Sequence, residues 1–201
     1  MPPESRTFIE EARRAQIISC AIEVLADQGY PHTTLAKIAK QAKISTGVIS
    51  YHFGGKKQLI QAVVEEVVKL GTDMMLPRIL AQPTPTDGLR AYIESNLDFM
   101  RVHRKPLIAL IEIIAHTPGE GGGPNPYAEQ AEVAITDLEK LLEWGQQSGE
   151  FRDFDKRSMA VSIRGAIDAV PGRLIHEPDC DLELLTRELI TTFTIATRSQ
   201  R

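Results

Sequence analysis

Residues 33–57, TTLAKIAKQAKISTGVISYHFGGKK, hold five lysines and not one acid, in a chain whose net charge is −4. Ammonium groups without balancing carboxylates suit a surface that faces a polyanion, because each one that neutralises a phosphate releases a condensed counterion. Among the lysines stand Thr46, Ser50, Tyr51 and His52, which donate and accept hydrogen bonds, and Val48, whose methyls match a thymine methyl. Such a set offers recognition rather than bond making: Lys37, Lys40, Lys43, Lys56 and Lys57 for phosphates, short polar side chains for base edges.

The charge is unevenly spread. Residues 1–60 hold eight Lys/Arg against five Asp/Glu, and residues 61–201 hold fifteen against twenty-two. Such asymmetry points to a nucleic acid or a membrane at one end. A membrane partner is not expected, since no apolar run approaches the length that spans a bilayer. The first residues, MPPESRTFIEEARR, have no apolar leader, so a cytoplasmic protein is expected. Cys20 and Cys180 are too few and too far apart for a disulfide framework or a zinc site, and neither a metal nor a cofactor is expected. There is no nucleophile elbow and no phosphate loop, and the histidines are scattered, so an enzyme is not expected.

The elements that must position these residues read as helices. FIEEARRAQIISCAIEVLADQG places Ile9, Ala12, Ile17, Ala21, Val24 and Leu25 at helical spacing before Gly29 stops the helix. TTLAKIAKQA and STGVISYHF are two short helices, and a fourth opens near Lys56 and runs through QLIQAVVEEVVKL. Pro77, Pro83 and Pro85 then break the chain. Further segments fall at 86–104, 106–117, 126–148, 156–176 and 181–198, giving an all-α protein of about nine helices. Asn125 with Pro126 is a candidate start for the helix after the loop TPGEGGGPNP.

Helix, sharp turn and helix within 33–53 predict a helix-turn-helix. Leu35, Ile38, Ala39 and Ala42 form the inner face of the first helix, with Ala39 small where the helices cross. Ile44 anchors the turn, Ser45 is placed to cap the second helix, and Ile49 and Phe53 face inward. That leaves Thr46, Gly47, Val48, Ser50, Tyr51 and His52 outward.

On AIEVLADQGYPHTTLAKIAKQAKIS and TGVISYHFGGKKQLI, with Tyr-His-Phe three residues before a lysine, residues 8–60 resemble the DNA-binding domain of the tetracycline-repressor (TetR) family. GAIDAVPGRLIHEPD resembles the corresponding helix of members with a choline-regulator-like C-terminal domain. The resemblance implies an N-terminal three-helix DNA-binding domain, residues 1–55. A larger helical ligand-binding and dimerisation domain, residues 56–201, follows, with the fourth helix as connector. It implies that Thr33 and Thr34 lie at the DNA face, Thr34 bonding a phosphate, and that Tyr51, His52 and Lys56 hold the backbone. Lys43, Ser45, Thr46, Gly47, Val48 and Ser50 would complete the contact. This chain departs from the family pattern in two places: Lys43 stands where a turn glycine is usual, and Gly54–Gly55 replaces a Lys-Ser pair.

The same resemblance implies a ligand-responsive regulator: a homodimeric repressor released from a palindromic double-stranded operator by a small-molecule effector. An activator, or a DNA-binding protein with no ligand, uses the same head. From the middle helices, Tyr92, Asn96, Met100, His103, Ile114, Leu141, Trp144 and Ile163 are the candidate ligand lining. Ala166, Val170, Leu174, Leu185, Leu189 and Phe193 lie on two apolar stripes able to pair with their symmetry mates as a four-helix bundle.

Overall fold

The computed structural model describes residues 8–117, 127–177 and 179–199. Among these the helices are α1 (Phe8–Gln28), α2 (Leu35–Ala42), α3 (Thr46–Phe53), α4 (Lys56–Leu80), α5 (Pro85–Val102), α6 (Arg104–His116), α7 (Ala128–Gln147), α8 (Lys156–Asp168), α9 (Val170–His176) and α10 (Leu182–Thr197). The protein is all-α. The only extended pairing among the described residues is an isolated antiparallel bridge of Phe151 with Arg198. The helix expected over 156–176 is divided at Ala169 into α8 and α9, where Pro171 lacks the N–H of a continuous ladder. Asn125 and Pro126 lie outside the described residues.

Two further expectations are corrected. Pro77 does not end α4, which continues to Leu80 and forgoes one backbone bond at that point. Ile9 and Ala12 are exposed, and the buried stripe of α1 begins only at Ile17.

The chain forms two compact units. The first comprises residues 1–69 and 105–118, the second residues 70–104 and 119–201. In the first, α1 packs on α2 and α2 on α3. Its core is built from Ile17, Leu25, Ile38, Ile49 and Leu59, all fully buried. Helix α1 stops at Gly29, whose φ of 77° is freely adopted by glycine. A side chain there would also crowd the Glu112 carboxylate, 3.1 Å from the position of its Cβ.

In the second unit α5 is the central helix, packed against α10, α7 and α8, with α7 also against α8. Each of α5, α8 and α10 starts on a capping side chain: Thr84 accepts from Asp87 N–H, Asp155 from Ser158 N–H, and Asp181 from Leu184 N–H. Gly88 lets α5 approach α7 closely, since a Cβ would lie 2.9 Å from Leu141. The tightest approach is at Gly145, where a Cβ would fall 2.0 Å from the Phe151 ring. That ring is drawn in by Phe151 N–H to Gly145 O at 2.9 Å, and the next residue is tied by Arg152 N–H to Thr197 O at 2.9 Å.

Candidate nucleic-acid interface

Helix α2 is fixed at both ends. The Thr34 hydroxyl accepts from Lys37 N–H at 3.3 Å. At the other end Lys43 takes the left-handed conformation, φ 55° and ψ 44°. Its N–H donates to Lys40 O at 3.2 Å, and Ile44 N–H reaches Ala39 O at 2.9 Å. These two bonds close a Schellman motif, which ordinarily has glycine at the left-handed position. The turn between the two helices is therefore the usual one, held with a lysine in a conformation that costs a β-carbon about 1–2 kcal/mol.

Helix α3 packs on α2, buries Ile49 and Phe53, and turns its remaining face outward. Thr46, Gly47, Ser50 and Tyr51 are exposed, Tyr51 at 77% of its full surface, while Val48 and His52 are half-buried. The Tyr51 and His52 rings meet edge to face at 5.1 Å, which fixes both against each other. Ser45 stands at the N-cap with extended backbone, yet its side chain makes no capping bond; only its carbonyl accepts, from Val48 N–H at 3.2 Å. The expected side-chain cap is thus absent.

Thr33 is corrected more sharply. It is fully buried, and its hydroxyl donates to Gly29 O at 2.8 Å, satisfying a carbonyl that the end of α1 leaves free. It is an internal brace, not a surface contact. Thr34 beside it is exposed. Lys40 and Lys43 are exposed; Lys37 donates to His32 O at 2.8 Å; Lys56 is half-buried, its ammonium 4.6 Å from the centre of the Tyr30 ring. The structure thus gathers Thr34, Lys40, Lys43, Thr46, Gly47, Ser50 and Tyr51 as exposed residues of one helix-turn-helix.

One contributor is absent from the sequence reading. Arg14 of α1 donates to the His52 carbonyl, and its guanidinium lies 4.1 Å over the Phe53 ring. It satisfies an orphan carbonyl at the end of α3. Its place in the apolar pattern of α1, among residues expected to face solvent, gave no sign of this.

The ligand candidates are not all brought to one place. Tyr92, Asn96, Met100 and Ile163 are buried in the core of the second unit; Trp144 is 39% exposed; Ile114 belongs to the first unit and is also exposed. His103 closes the end of α5 with its ring 5.0 Å from Phe99, and Leu141 is taken up against Gly88. A groove of about 350 Å³ in the second unit is lined instead by Arg78, Leu97, Asp98, Arg101, Thr186 and Arg187, among others, and by none of the eight candidates. Burial works against the Asp98 charge there, but hydrogen bonds from Arg78 and Arg101 outweigh it and hold the carboxyl below its usual range.

A polar network does cross the interior. Arg164 donates to Tyr92 Oη at 3.0 Å and Asn96 Oδ1 at 2.9 Å and pairs with Asp168. Of the stripe residues, Val170, Leu174 and Phe193 are buried within the subunit, which makes them core; Ala166, Leu185 and Leu189 are half-buried. Among the described residues, the large apolar side chains exposed on these helices are Val161, Leu184 and Ile195.

Residues 17–63 match the family model of bacterial regulatory proteins, tetR family. An HTH-type transcriptional regulator BetI of Burkholderia cenocepacia is 37% identical over 95 residues, 47% of this chain and 49% of that protein. The chain thus spans about half the length of the curated relatives it matches. Among solved structures, the fatty acid degradation regulator FadR from Bacillus halodurans superposes with a TM-score of 0.81 at 20% identity, covering 98% of this chain and 100% of the other. AibR in complex with isovaleryl coenzyme A and operator DNA superposes at 0.73 with 22% identity, covering 90% and 97%. These likenesses establish a common fold.

Proposed function

We propose that this chain, which belongs to the TetR family of transcriptional regulators, is a ligand-responsive repressor that binds a palindromic operator as a homodimer and leaves it when a small molecule binds. The observation that carries the reading is the outward face of α3, Thr46, Gly47, Ser50 and Tyr51, in a stretch with five lysines and no acid. Thr46, Val48 and Ser50 read base edges; Thr34, Lys43, Tyr51, His52 and Lys56 hold phosphates. Two recognition helices of a dimer reach successive major grooves about 34–36 Å apart. A protein of the same fold has been solved with an acyl-coenzyme A and operator DNA together, and the proposal extends that pairing of ligand and DNA to this chain. Association through α8 and α10 uses Val161, Leu184 and Ile195 along with the half-buried Ala166, Leu185 and Leu189. The proposal assigns no reaction and takes the cytoplasm as the place where the protein acts. No helix among the described residues is long and apolar enough to cross a membrane.

The test is selection of duplexes from a randomised pool, followed by sedimentation and salt titration on the selected duplex. A palindromic consensus bound by two chains supports the reading. Binding of all duplexes alike, by one chain, refutes it. Transcription of a template carrying the selected site separates repression from activation.

A further inference from the structure

We infer that Tyr30 is the positioning residue that holds Lys56 for its phosphate and ties that lysine to α6. The inference deepens the DNA-binding reading and rests on it. Three contacts converge on Tyr30, all within the first unit. The Lys56 ammonium lies 4.6 Å from the centre of its ring. The His116 ring stacks on the same residue, centroids 5.9 Å apart and planes 8° from parallel. Its main-chain N–H donates to Glu112 Oε2 at 2.9 Å.

Each contact has a reason in the chain. Tyr30 follows Gly29, whose bare α-carbon leaves room for the Glu112 carboxylate, so the carboxylate reaches the Tyr30 N–H, the next after the one that Gly29 donates back to Leu25 O. Glu112 and His116 are one helical turn apart on α6 and therefore meet the same neighbour. His116 Nδ1 is 2.9 Å from Glu112 O and 3.6 Å from its carboxylate, which fixes the ring edge. A second bridge from this stretch, Lys105 to Asp27 at 3.2 Å, holds the end of α1 as well.

Lysine is a flexible point charge that loses rotamer freedom when it meets a phosphate. An aromatic face on which the ammonium already rests removes part of that loss before DNA arrives. Lys56 opens α4, so the held charge adds to the positive end of that helix. Because Tyr30 is itself held by Glu112 and His116, a displacement of α6 withdraws the platform and frees the lysine. The DNA-facing charge is then set by α6 without any movement of α3.

The experiment titrates the full-length protein onto a mixed-sequence 30-base-pair duplex across a range of salt, with thermal melts to show that each variant is folded. Lys56→Ala removes one phosphate contact, and the slope of log affinity against log salt falls by about 0.9 per subunit. Tyr30→Leu, which keeps Lys56 and loses the ring, is expected to lower affinity several-fold and to show half or more of that slope change. Tyr30→Phe keeps the wild-type slope. Combined with Lys56→Ala, Tyr30→Leu adds no further loss. His116→Ala, which leaves both Tyr30 and Lys56 in the chain, shifts slope and affinity in the same direction by less, and serves if Tyr30→Leu does not fold. A wild-type slope in Tyr30→Leu or His116→Ala, with Lys56→Ala reduced, overturns this inference alone. A wild-type slope in Lys56→Ala overturns the phosphate role of Lys56 and this inference with it.

Discussion

The guanidinium of Arg14 lies 4.1 Å over the ring of Phe53, joining the second turn of α1 to the last residue of α3. The same group donates to the His52 carbonyl. Arg14→Ala removes a charged hydrogen bond, for which about 1.5–3 kcal/mol is typical, and a cation–π contact of about 0.5–1 kcal/mol. The expected loss of stability is about 2 kcal/mol, with a weaker and less selective DNA complex because Tyr51 and His52 lose their anchor. Urea unfolding of Arg14→Ala and Arg14→Lys measures it. Lysine restores the charge without the planar stack, so it recovers part of the loss.

Lys43→Gly is expected to stabilise the protein. The left-handed backbone costs lysine about 1–2 kcal/mol, and glycine returns part of that gain through its larger unfolded-state entropy, about 0.5–1 kcal/mol. A net gain of about 0.5–1 kcal/mol should appear as a raised urea midpoint with an unchanged slope. The same variant loses one exposed ammonium, so its DNA affinity becomes less dependent on salt. Stability and DNA affinity thus move in opposite directions, and a variant that loses both would rule out the strain argument.

Gly145→Ala should damage the second unit severely. Its Cβ would fall 2.0 Å from Phe151 Cδ2, and that ring is 4% exposed with little room to retreat. Overpacking of this kind costs about 1–3 kcal/mol. Adding Phe151→Leu to Gly145→Ala should recover part of the loss. Thermal melts of the single and double variants decide the matter, non-additivity being the signature of direct contact.

Tyr92 gives a pH prediction. Burial pushes its phenol above the ordinary value, against the opposing pull of Arg164. The folded state therefore holds the proton more tightly than the unfolded chain does. Stability from this group is whole below about pH 10 and is lost as pH rises through the raised folded value. Tyr92→Phe should lose about 1 kcal/mol at neutral pH with its bond from Arg164. It should also show a shallower fall in stability above pH 10. Unfolding midpoints between pH 7 and 11 test both.

The local pattern of the chain was enough to determine the helices of the head, while the left-handed turn at Lys43 came from the structure. The period of Ile38, Ala39, Ala42, Ile49 and Phe53 names the inner face, because a residue's side on a short helix follows from spacing alone. The outward face of Thr46, Ser50 and Tyr51 is its complement and was legible for the same reason. Tertiary structure decided what spacing does not encode. Thr33 and Thr34 are adjacent hydroxyls, yet one is buried on the Gly29 carbonyl and the other exposed, since the chain turns between them. Nothing in the spacing marks Arg14 and Glu112 as braces, for the residues they hold lie 38 and 82 positions away. The interior stripes of α5, α8 and α10 carry the same apolar signal whether they line a cavity, meet a second chain or fill a core. Phe193 and Ile163 proved to be core because α5 packs against α10 and α8. Hydrophobic burial is non-directional, so periodicity tells which residues leave water and the assembled fold alone tells what they meet.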